Sequence, residues 1–127
     1  LCDALEHEAR ASKRLLPVLF EFNCSGEAQK SGFHPDELPL FVERMRALEF
    51  LDPQGLMTMG PLSSEPEASR PAFQKLAEVK ERMEQALGRA LPHLSMGMSA
   101  DLEVGVEEGA TLVRVGTALF GDRGGAH

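Results

Sequence analysis

The 127-residue sequence has no tyrosine, only two cysteines and no cluster of basic residues, and each shortage excludes something. Cys2 and Cys24 are too few for a disulfide framework and stand in no metal-ligand spacing, which points to free thiols in a reducing compartment. His7, His34, His93 and His127 share no ligand spacing with the cysteines or with one another, so no zinc site is expected. Thirteen basic residues against twenty acidic ones give a formal charge of −7, a balance that argues against nucleic acid as a partner. No apolar run reaches membrane-spanning length and no basic-then-apolar leader opens the chain. The expectation is therefore a soluble, cytoplasmic protein with no membrane partner.

Hydrophobic residues at 43% and charged residues at 26% are ordinary for a globular protein. The length suits one domain but is short for a complete eight-stranded α/β barrel. The chain opens on Leu1 inside a helical stretch that runs to Lys13, which suggests a cut upstream.

Along the chain, short apolar runs alternate with helical patterns. Pro17 to Asn23 reads as a strand closed by the turn signal Cys24-Ser25-Gly26. His34 to Leu48 places Leu38, Phe41, Val42, Met45 and Leu48 on one helical face. Asp52-Pro53 reads as a break before a second strand, Gly55 to Met59. Leu62 to Ala68 reads as a loop, and Ser69 as the cap of a long helix through about Leu87 with Pro71 in its first turn. On that helix Phe73, Leu76, Met83 and Leu87 line one side, and Glu78–Arg82 and Lys80–Glu84 are spaced to pair. His93 to Gly97 gives a third strand, Asp101 to Glu108 a short helix, and Thr111 to Thr117 a fourth strand. The tail from Gly121 to His127 is expected to fray. This α/β alternation predicts a parallel sheet with crossover helices.

In such sheets, ligand sites gather at the carboxy ends of the strands. Asn23 to Gly32, Thr58 to Leu62, Met96 to Ser99 and Gly116 to Gly121 are the candidate segments. Ser99 reads either as an anion ligand or as the cap of the helix that Asp101 begins. Strand alternation puts Arg114 and Gly116 on one face and Val113 and Val115 on the other. A buried Arg is permanently charged and donates only, so a carboxylate or a ligand acceptor must meet it. Asn23 and Lys30 read as ordinary loop residues, and Met57, Met59, Met96 and Met98 as core filling.

Four blocks recur together: Phe22-Asn23 with Glu27, Lys30, Ser31 and Gly32; Gly55-Leu-Met-Thr58; Leu94-Ser-Met-Gly-Met-Ser-Ala-Asp101; and Gly109 through Arg123. Their order and gaps resemble the pyridoxal phosphate homeostasis family, whose barrel is of the alanine racemase amino-terminal type. The resemblance implies that residues 1–127 are a partial domain, the carboxy-terminal half of a (β/α)8 TIM-type barrel with about four parallel strands. It implies that pyridoxal 5'-phosphate is the cofactor, its phosphate held by Met98, Ser99, Gly116 and Thr117 and its ring nitrogen by Arg114. A guanidinium only donates, so the nitrogen facing it is unprotonated and the ring is a poorer electron sink.

The family's covalent lysine lies on the first barrel strand, so Lys13, Lys30, Lys75 and Lys80 are not assigned that role and no catalytic residue is named. The family usually has Gln where this chain has Glu21, which puts the polar contact from that position in question. The reading that follows is a non-catalytic protein of cofactor homeostasis. One alternative is a racemase-like enzyme fragment; racemization needs a base on each substrate face, and alanine racemase takes one from a tyrosine. The other is a half-barrel without tight cofactor binding that self-associates through its open sheet edge.

Overall fold

The computed structural model, which describes residues 2–26 and 32–115, contains one four-stranded parallel sheet in the order β1-β2-β3-β4. Its strands are β1 (Leu16–Glu21), β2 (Leu51–Met57), β3 (His93–Met98) and β4 (Leu112–Arg114). Helix α1 (Cys2–Ser12) precedes β1, and α2 (Leu38–Arg46), α3 (Arg70–Leu87) and α4 (Leu102–Glu107) form the three crossovers. Each crossover joins a strand to the next one in space. Right-handed connections that all step in the same direction put their helices on one side of the sheet, which is the winding of a barrel wall and not of a doubly wound sheet.

The helical faces read from the sequence are the ones that pack. Leu38, Phe41, Val42 and Met45 of α2 and Phe73, Leu76, Val79 and Met83 of α3 are buried in a single core with Phe20 of β1, Leu56 of β2 and Leu94 and Met96 of β3. Phe20 is level with Leu56 and Leu56 with Leu94 in the strand register, so they form one apolar row under the helices. Four phenylalanines, Phe20, Phe22, Phe33 and Phe41, close the β1 end with edge-on and tilted ring contacts of 4.5–5.8 Å. Burying each such side chain contributes roughly 1.5–3 kcal/mol.

Four sequence expectations shift. Strand β2 begins at Leu51 and runs through Asp52-Pro53, which had read as a break. The register steps from Val18↔Pro53 to Leu19↔Gly55, so Gln54 is the extra residue of a bulge that directly follows the proline, which has no N–H to give the ladder. Strand β1 stops at Glu21, and Phe22 continues only as an isolated bridge to Phe33, because the next N–H, that of Asn23, turns to the Phe33 carbonyl. Ser69 does not cap α3: it ends a short 3-10 helix, Pro66–Ser69, and its hydroxyl points elsewhere. On α3, Lys80 meets Glu84 at 3.3 Å as expected, whereas Glu78 faces Lys75 at 3.6 Å and not Arg82. Strand β4 ends at Arg114, and the expected continuation to Thr117 and the tail lie outside the described residues.

Candidate functional site

At the carboxy end of the sheet the four strands are tied together through one residue. Thr58, just past β2 and only 1% exposed, donates its hydroxyl to the Phe22 carbonyl at 2.7 Å and its N–H to the Ser95 carbonyl at 3.1 Å. Its own carbonyl accepts Nη2 of Arg114 at 3.3 Å. Thr58 thus links β1, β3 and β4 from the middle of the sheet, a role invisible to periodicity because a buried threonine reads like any strand former.

Arg114 is half-buried, and no carboxylate of the described residues pairs with it; its Nε is fully buried and has no hydrogen-bond partner. Of the two partners that a buried arginine admits, the described residues do not supply the carboxylate. A buried donor left unpaired costs on the order of 1–3 kcal/mol, so this Nε marks a place where an acceptor belongs.

Ser99 lies next to it. The register pairs Met98 with Arg114, so Ser99, one residue on, sits at the same end of adjacent strands. The turn here is closed from both sides: Asp101 Oδ1 accepts the Met98 N–H at 2.7 Å, and the Asp101 N–H donates to the Met98 carbonyl at 3.0 Å. Asp101, not Ser99, is the residue that precedes α4. Ser99 is half-buried, while the Met98 side chain is exposed, not core filling. Gly116, Thr117 and Lys30 lie outside the described residues.

A second set of contacts, missed in the sequence, holds α4 against the β2–α3 connection. The Ser69 hydroxyl donates to Asp101 Oδ2 at 2.5 Å, and Arg70 spans to Glu67, Glu107 and Glu108 at 2.6–2.7 Å. Hydrogen bonds that Arg70 donates to these three carboxylates raise its pKa, and the Arg70 guanidinium in turn lowers that of Glu67. Cys24, at the β1 mouth, is half-buried; burial pushes its thiol above the ordinary range against a smaller opposing hydrogen bond with Thr58, so it is a poor nucleophile at neutral pH. Both cysteines are free. Among the described residues no group of His, Cys, Asp and Glu is placed to hold a metal ion, and no helix is long and apolar enough to cross a membrane.

Comparison with known proteins places this geometry. Residues 1–124 match the family of the alanine racemase N-terminal domain. The pyridoxal phosphate homeostasis protein of Aquifex aeolicus is 44% identical over 123 residues, which cover 97% of this chain and 54% of that protein. The structure of PipY from Synechococcus elongatus with PLP bound superposes with a TM-score of 0.81 at 29% identity, over 94% of this chain and 56% of that one. Alanine racemase from Clostridium difficile shares the fold alone, with a TM-score of 0.75 at 18% identity over 92% of this chain and 32% of its own. The chain spans about half the length of the curated relatives it matches.

Proposed function

Since the chain belongs to the alanine racemase N-terminal domain family, we propose that it binds pyridoxal 5'-phosphate in cofactor homeostasis, holding the cofactor and not driving catalysis on it. The observation that carries this reading is the buried, partnerless Nε of Arg114 beside the Ser99 turn. The relatives' names and the cofactor in the PipY structure support the choice of ligand.

The residues present fit the group. Ser99 would meet the phosphate at the turn that begins with Met98, together with Gly116 and Thr117, and Arg114 would hold the ring nitrogen. Bound pyridoxal phosphate supplies a reactive aldehyde and an electron-withdrawing ring. Because Arg114 only donates, it favours the unprotonated nitrogen and weakens that withdrawal, which suits storage better than carbanion chemistry. Free thiols at Cys2 and Cys24 support a reducing, cytoplasmic setting.

The test is titration of the intact protein with pyridoxal phosphate. Arg114→Ala and Ser99→Ala should each weaken binding about tenfold or more, the scale of one charge-assisted hydrogen bond. Unchanged affinity in both variants would defeat the assignment, and racemization of free amino acids by the loaded protein would favour an enzyme.

A second reading concerns the 127 residues alone. Strands β1 and β4 are the sheet edges, Leu112 and Val113 are 42% and 37% exposed, and an apolar groove of about 750 Å³ runs between α1, β1 and α2, lined by Val18, Phe20, Phe41 and Met45. Such edges favour pairing of the half-barrel with itself or with the rest of a barrel.

A further inference from the structure

We propose that Asp101 is the positioning residue of the phosphate-binding turn, acting through Ser99, and that its link to Ser69 across Gly60 sets the turn's conformation; this rests on the cofactor reading above. The carboxylate makes two different bonds. Oδ1 takes the Met98 N–H at 2.7 Å and Oδ2 takes the Ser69 hydroxyl at 2.5 Å. The first fixes the turn from within, together with the Asp101 N–H on the Met98 carbonyl. The second fixes the carboxylate itself to a residue that is 3% exposed and ends the 3-10 helix ahead of α3. The Met98 N–H is thus tied within the turn, and Ser99 is the next residue along it.

A carboxylate near a phosphate would repel it. Here each carboxylate oxygen accepts from a donor, one an amide and one a hydroxyl, which spreads the charge over those bonds without removing it. The approach of the three segments leaves no room for a side chain at Gly60: a Cβ there would lie 2.1 Å from Ser69 Oγ and 2.9 Å from Asp101 Oδ2. Arg70, next to Ser69, reaches Glu107 and Glu108 at the far end of α4, so both ends of that helix are fastened to the same segment. That segment begins just after Thr58, the residue holding Arg114. One connection, from Thr58 to Arg70, thus braces both the ring-nitrogen partner and the phosphate turn.

The experiment compares pyridoxal phosphate with pyridoxal, which lacks the phosphate, as ligands of the intact protein. Asp101→Ala should weaken pyridoxal phosphate about tenfold and pyridoxal less than about twofold, since only the phosphate contact depends on the turn. Asp101→Asn should restore affinity to within about threefold, because its oxygen still accepts from Met98 and its amide donates to the Ser69 hydroxyl. Gly60→Ala, which removes no functional group, should reproduce the phosphate-selective loss by prying Ser69 from Asp101. The same holds for Ser69→Ala, which decides the matter if Asp101→Ala does not fold. Equal losses for both ligands, or no loss in Ser69→Ala and Gly60→Ala, would overturn the positioning role. Wild-type protein that binds both ligands alike, or neither, would instead remove the cofactor reading on which it stands.

Discussion

Thr58 shows how much can depend on a single hydroxyl. Thr58→Val keeps shape and β-propensity but leaves the Phe22 carbonyl without its donor in a buried setting. The expected cost is about 1–3 kcal/mol in urea unfolding, with pyridoxal phosphate affinity falling as well because the carbonyl that holds Arg114 shifts. Gly55→Ala should cost more. A Cβ at that position would lie 2.0 Å from the His93 carbonyl oxygen, so β2 and β3 would have to separate, at the upper end of the roughly 1–3 kcal/mol typical of overpacking or beyond. Cys24 offers a pH test: burial raises its thiol pKa, so alkylation should rise only above the pH at which an exposed cysteine reacts. A Cys24 that labels as fast as a model thiol at neutral pH would contradict that burial.

At the scale of elements, helix α3 carries its own acid sensitivity. Glu84 accepts the Leu91 N–H at 2.7 Å and meets Lys80 at 3.3 Å, and these contacts, the backbone bond first, lower its pKa. A lowered folded pKa stabilises the native state above the ordinary carboxylate range, and the contribution disappears as pH falls through the folded value. Wild type should therefore exceed Glu84→Gln in stability near neutrality, and the two melting temperatures should converge in acid; a difference that persists there would exclude the ionised carboxylate as its source. The elements themselves were legible in the sequence because each carries a complete period: Leu38, Phe41, Val42 and Met45 mark α2 as plainly as their burial does. The passage of β2 through Pro53, with a bulge at Gln54 after it, was not, since a proline tolerated in a ladder looks the same on paper as one that ends it. Nor was the partner of Ser69, because a local capping rule competes with a carboxylate 32 residues away that only the fold brings near. Of the expected site, Ser99 and Arg114 are brought to one end of adjacent strands; Thr58 and Gly60 fall in the candidate segment Thr58 to Leu62, but their particular contacts, and that of Ser69 with Asp101, depend on the fold.

For the whole molecule, the two sheet edges and the groove beside β1 lead to an expectation about the 127 residues alone. Sedimentation should find them associated or aggregated, and a monodisperse, well-folded monomer would refute the self-pairing reading. The register also orders the assembly of the sheet in time. Gly55 of β2 pairs with His93, 38 residues on, whereas Ser95 of β3 pairs with Leu112, only 17 residues on. Loop-closure entropy grows with the logarithm of the span, so the shorter β3–α4–β4 closure is cheaper by about 0.7 kcal/mol. Among the pairings of the four strands, the unit that bears Ser99, Asp101 and Arg114 thus has the least costly closure, and substitutions in α4 should slow refolding where those in α1 speed unfolding. The turn assigned to ligand binding would then be formed before most of the sheet that supports it.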